Sequence, residues 1–160
     1  NWVTAWVAIT DSNEKNGCMR MWSGSHKNNL KAHDQKFNEG NLLTRGQTVK
    51  DVPKEETIPL VLEAGQMSLH HPTVVHGSEL NKSNDRRIGF VIQSYIGTNV
   101  KQVLGKNGVQ LARGVDEFNY HKIIDRPQNL LDEKDIKLKK QENDNLQEIF
   151  YKGSDKKGKF

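Results

Sequence analysis

The sequence predicts a mainly β domain of the sandwich or barrel type. Residues 2–96 contain about six short runs rich in β-branched and aromatic residues. Most are separated by short turn-forming stretches, as antiparallel sandwiches and barrels require. The chain has 160 residues, enough for one domain with a real core and not comfortably for two.

Composition narrows the class. The hydrophobic share is 34% and the mean hydropathy −0.80, so part of the chain is loop or solvated tail. The net charge of +4 invites a nucleic-acid reading, but Lys and Arg alternate with Asp and Glu almost everywhere. No basic stripe emerges of the kind that follows a phosphate backbone, and Lys156-Lys157-Gly158-Lys159 reads as a solvated terminus. No apolar run is long enough for a transmembrane helix. Neither nucleic acid nor membrane is therefore an expected partner. A single cysteine, Cys18, excludes an internal disulfide and fits a cytoplasmic, reducing compartment.

Taken in order, WVTAWVAI at 2–9 reads as a central strand, because both of its faces are largely apolar. Trp2, Thr4, Trp6 and Ala8 share one face. A polar loop with the turn pair Asn16-Gly17 follows, and then a strand from Cys18 to Trp22 that Gly24-Ser25-His26-Lys27 ends. Residues 28–56 form a polar excursion, expected to be irregular with some helix. The run 57–63 reads as a strand, at an edge or starting at Pro59 because proline cannot donate to a ladder. Ala64-Gly65-Gln66 is a turn. Met67–His70 and Thr73–His76 are short strands around His71-Pro72, and Arg86–Ile96 is the longest strand. Beyond Gly97 the pattern weakens to glycine-rich loops. A helix is expected at 132–150 with Asp132 as its N-cap, bearing only a narrow apolar stripe. The expected division is a β domain over 1–121 and an extension over 122–160.

Chemistry concentrates in GQMSLHHPTVVHGSELNKSNDRRIGFVIQSY, residues 65–95. A histidine there can ligate a metal, and an arginine can clamp a carboxylate through two parallel hydrogen bonds. The bland readings are a hydrogen-bonded structural His76 and surface charges at Arg86 and Arg87. Adjacent residues on a strand face opposite ways, so at most one of the two arginines reaches an interior site. Arg87 shares its face with Gly89, Val91, Gln93 and Tyr95, where a glycine and a glutamine leave room for a ligand. His71 reads as a hydrogen-bonding neighbour of His76. Trp6 on its own reads as core packing.

Several strings together resemble the phytanoyl-CoA dioxygenase family. They are Val3-Thr4-Ala5-Trp6-Val7-Ala8-Ile9, Asn16-Gly17-Cys18-Met19-Arg20, Gly24-Ser25-His26-Lys27, His71-Pro72, His76-Gly77-Ser78 and Asn81-Lys82-Ser83 with Arg86-Arg87. The likeness spans residues 2–96 in the family's order and continues weakly to Arg113-Gly114-Val115-Asp116. It implies a double-stranded β-helix (a cupin-like jelly roll), incomplete at its N-terminus, and an Fe(II)- and 2-oxoglutarate-dependent dioxygenase that hydroxylates its substrate. It further implies that His76 is the distal iron ligand and that Arg87, eleven residues on, binds the far carboxylate of 2-oxoglutarate. Ser78 and Trp6 lie beside that cosubstrate. No catalytic side chain beyond these metal and cosubstrate ligands is implied.

One departure stands out. The family's other two iron ligands, a His-x-Asp pair, precede the tryptophan that matches Trp6, and no His-x-Asp or His-x-Glu occurs in this chain. The expectation is a C-terminal fragment of a longer protein, with weak or absent iron and 2-oxoglutarate binding and no activity by itself. Exposed strand edges would then favour a homo-oligomer. Two alternatives stand beside hydroxylation: a non-haem iron halogenase of the same fold, and a non-catalytic β-sandwich used for binding or assembly.

Overall fold

The computed structural model describes residues 1–27, 30–35 and 47–153. The described chain falls into two compact units, one of residues 1–35 and 47–96, the other of residues 97–153.

The first unit is built from two antiparallel three-stranded sheets. β1 (Trp2–Ala8) is the centre of one, flanked by β6 (Met67–His70) and β8 (Gly89–Ile96). β2 (Met19–Trp22) is the centre of the other, flanked by β5 (Thr57–Pro59) and β7 (His76–Ser78). From β5 onward the chain alternates between the sheets, which is the jelly-roll pattern. Trp6 and Ala8 from the first sheet pack on Met19 from the second, with Met21, Leu60 and Leu62 around them. One face of each sheet therefore turns inward on this small core. Cys18 is 3% exposed beside it, and burial, with Glu14 adding to the effect, raises its thiol pKa.

The polar excursion is a correction. Its described residues form a hairpin of β3 (His33–Gln35) and β4 (Gln47–Val49), with His33 opposite Val49, followed by a 3-10 turn at Lys54–Glu56. Residues 28–29 and 36–46 of that excursion lie outside the described residues.

Three strand boundaries also differ from expectation, each for a local reason. β5 stops at Pro59 because the next residues pair elsewhere. The Leu60 amide donates to Met19 O at 2.7 Å, and Leu62 exchanges two hydrogen bonds with Ser12. β7 begins at His76, where the sequence had a strand ending. Residues 71–74 instead make a turn closed by the Val74 amide on His71 O, with the His71 ring hydrogen-bonded to the Thr73 hydroxyl at 2.8 Å. β8 begins at Gly89 because the Thr10 hydroxyl enters the ladder before it. That hydroxyl donates to Arg86 O and accepts from the Ile88 amide, both at 2.9 Å.

β8 also carries a bulge. Val3 faces Tyr95 but Ala5 faces Ile92, so β8 holds one residue more than β1 between those pairs. The carbonyl of Gln93, within the bulge, accepts from the Trp2 indole and from the Thr4 hydroxyl, each at 3.1 Å. At the other end of the unit, the Asn16-Gly17 turn needs its glycine twice over. Gly17 has φ of 74°, and a Cβ there would lie 2.6 Å from Glu79 O.

In the second unit, β9 (Gly108–Val109) and β10 (Lys122–Ile123) pair in parallel, and α1 spans Glu133–Phe150. Asp132 caps α1 as expected, accepting from the Lys134 amide at 2.9 Å. No residue of α1 is buried. Glu142 ties the helix to β9, accepting from the Gly108 amide at 2.9 Å and from Asn107 Nδ2 at 3.0 Å.

Candidate functional site

The inner faces of the two sheets gather the residues singled out in the sequence. Trp6 sits on β1 opposite Ser68 of β6, and Thr4 sits opposite His70. Alternation puts all four side chains on one face. On the second sheet His76 and Ser78 share a face of β7, opposite Met21 and Met19 of β2. Met19 packs on Trp6, so this face looks toward the first sheet's inner face.

Arg87 joins the two. Its Nη2 donates to Ser78 Oγ at 3.2 Å, and its guanidinium carbon lies 5.7 Å from the centroid of the Trp6 ring. Trp6 is 6% exposed, so it gives the cation a fixed platform. Arg87 itself is half-buried. The ion pairs among the described residues are Arg20–Glu14, Lys50–Asp34 and Lys54–Glu79, and Arg87 belongs to none of them. A half-buried guanidinium without a carboxylate neighbour, braced by a ring and a hydroxyl, is a receptor for an anion.

His76 is exposed. Its Nδ1 lies 2.8 Å from Val74 O, and a carbonyl only accepts, so Nδ1 carries the proton. Nε2 is then left with its lone pair, the tautomer a metal ligand needs. The backbone leading to His76 is held by Ser25, which is 2% exposed. Its hydroxyl donates to Trp22 O at 2.8 Å and accepts from the Val75 amide at 2.9 Å.

The neighbour of His76 is His70. The two rings lie 5.5 Å apart, whereas His71 turns toward His26, at 5.6 Å. Burial lowers the pKa of His70 below the ordinary histidine range, and the nearby His76 adds to the effect. The expected open space at Gly89 is likewise corrected, because the Trp6 indole fills it. His70 and Ser25 carried only faint signals, respectively the period-two face it shares with Ser68 and a place in the turn after β2. An apolar recess of about 280 Å3 adjoins the site, lined by Met21, Ile58, Leu60, Val74 and His26 among others.

Among the described residues no three His, Cys, Asp or Glu side chains come together as a metal set. These residues offer at most the paired imidazoles of His70 and His76 where an iron centre needs further donors, so they do not fit a complete iron site. They do fit the carboxylate of an acidic cosubstrate.

The family described as phytanoyl-CoA dioxygenase (PhyH) matches residues 1–89. The peroxisomal phytanoyl-CoA dioxygenase of Mus musculus is 32% identical over 120 residues, covering 72% of this chain and 35% of that protein. The Homo sapiens protein is 34% identical over 86 residues, covering 53% of this chain and 25% of that protein. The chain thus spans about a third or less of these curated relatives. Among solved structures, the non-heme monooxygenase ThoJ in its apo form superposes with a TM-score of 0.78 at 28% identity, over 92% of this chain and 52% of that one. Its nickel complex gives 0.72 at 25%, over 93% and 51%. The fold is that of the cupin-like oxygenases. More closely, the chain belongs to the phytanoyl-CoA dioxygenase family.

Proposed function

We propose that this chain is the cosubstrate-anchoring part of an Fe(II)- and 2-oxoglutarate-dependent oxygenase that hydroxylates a small-molecule substrate. The observation that carries the reading is Arg87, braced by Ser78 and Trp6 on the side of the sheets where His76 presents its free Nε2. Arg87 holds the remote carboxylate of 2-oxoglutarate as a two-pronged donor, and Ser78 orients the guanidinium. Trp6 excludes water beneath it. His76 would supply one iron ligand, and iron, bound in the whole protein, would supply the redox chemistry. Hydroxylation is favoured over halogenation because ThoJ, similar over 92% of this chain, is described as a monooxygenase. The free, buried Cys18 suits a cytoplasmic setting.

The test is succinate release from 2-oxoglutarate. The full-length protein turns it over in the presence of iron, and Arg87→Ala lowers kcat/KM for 2-oxoglutarate by about a hundredfold. Residues 1–160 alone release little or none. A full-length protein that neither binds nor consumes 2-oxoglutarate sinks the reading. We further propose self-association of this chain, since β5, β6, β7 and β8 each have a strand partner on one side only among the described residues. A monomeric mass across a concentration series contradicts that.

A further inference from the structure

We propose that Gly89 and Thr10 are positioning residues for Arg87, holding it at the geometry that captures a carboxylate. The inference rests on the functional reading above and assigns roles to two residues that touch neither metal nor cosubstrate.

Gly89 acts through Trp6. Trp6 pairs with Val91, so Gly89 is its diagonal neighbour on β8, and the indole lies across the space a side chain would take. A Cβ at position 89 would stand 2.1 Å from Cζ2, 2.2 Å from Cε2 and 2.6 Å from Nε1 of Trp6. No real contact is that short, so the ring would have to move. It has little freedom to do so, being 6% exposed and packed against Ala8 and Met19. The absence of a side chain at 89 therefore sets where the indole lies, and the indole is the surface on which the Arg87 guanidinium rests.

Thr10 acts through the backbone. Its single hydroxyl bonds Arg86 O on one side of Arg87 and the Ile88 amide on the other. Both peptide groups that flank Arg87 are thereby fixed to the end of β1, although β8 proper starts only at Gly89. A serine at position 10 keeps this bridge, and a valine of the same shape does not.

The experiment measures 2-oxoglutarate affinity by calorimetry on the full-length protein with manganese(II) in place of iron. Gly89→Ala is expected to weaken binding by about tenfold or more, the scale of misplacing an anchoring group by a fraction of an ångström. The three Trp6 atoms that a Cβ would strike all lie beyond the Cδ positions, where leucine has no atom. In a Trp6→Leu background Gly89→Ala should therefore cost less than about twofold. Thr10→Val is expected to weaken binding about fivefold, while Thr10→Ser stays within about twofold of wild type. Equal losses from Gly89→Ala in both backgrounds, or Thr10→Ser as weak as Thr10→Val, would overturn the proposal. So would unchanged affinity in Gly89→Ala and Thr10→Val while Arg87→Ala binds poorly. Unchanged affinity in Arg87→Ala itself overturns the functional reading, and this inference with it. Should Gly89→Ala fail to fold, the Thr10 pair decides.

Discussion

Residues 1–35 and 47–96 hold together by pairing strands distant in sequence, β1 with β8 and β2 with β7, across a shared interior. Residues 97–153 rely on a two-residue parallel pair, a capped helix and polar ties such as Glu142 to Gly108. The family match, residues 1–89, falls on the first unit. The contrast teaches where chemistry can reside. A guanidinium can be held to within a fraction of an ångström only where its supports are themselves buried and braced from several strands. A helix with no buried residue can be altered with little effect beyond its own turn.

The contrast is open to direct attack. The largest expected effect is Trp6→Ala, which should cost about 3–5 kcal/mol in urea unfolding because it empties the centre of a small core. Leu138→Ala, at a half-buried position of α1, should cost less than half as much. Equal costs would erase the distinction. Next comes Ser25→Ala, expected to destabilise by about 1–3 kcal/mol because the half-buried Val75 amide loses its acceptor. Its effect should include broadened His76 signals in NMR spectra. Asp132→Ala should cost about 1 kcal/mol, read as faster amide exchange in the first turn of α1 with β1 unchanged. If β1 amides also exchange faster, the second unit is not energetically local.

The smallest effect is a pH dependence. The pKa of folded His70 lies below 6.5, near that of the unfolded chain. Above that value both states are neutral and the stability is fully present. As pH falls below it the unfolded chain takes up the proton first, and stability drains until the folded pKa is passed. His70→Gln should therefore lose less stability than wild type between about pH 7.5 and pH 5.5. Identical losses would mean that His70 titrates normally.

Much of this fold could be read along the chain, and the exceptions have physical causes. β1 was plain because its seven residues are apolar on both faces, as a central strand's are. The α1 cap was plain because Asp132 precedes a long polar helix. The start of β8 was misplaced because a side chain, Thr10, does the work of a backbone partner, and no periodicity records that. β7 was shifted because His71 and Thr73 close a turn through their side chains. In the site, strand alternation admitted only one of Arg86 and Arg87, and the face shared with Gly89 favoured Arg87. The reason given, space at Gly89, was the reverse of the truth, since a glycine marks close approach by a neighbour as readily as an opening for a ligand. His70 went unnoticed because its importance lies in a contact between sheets.

Cys18 has a practical consequence. Its sulfur is shielded and held as the thiol, so alkylating reagents should find it only when the first unit opens. The rate of iodoacetamide labelling then reports the frequency of that opening, without an added probe and without disturbing Arg87. The protein carries its own clock for the part of it that matters.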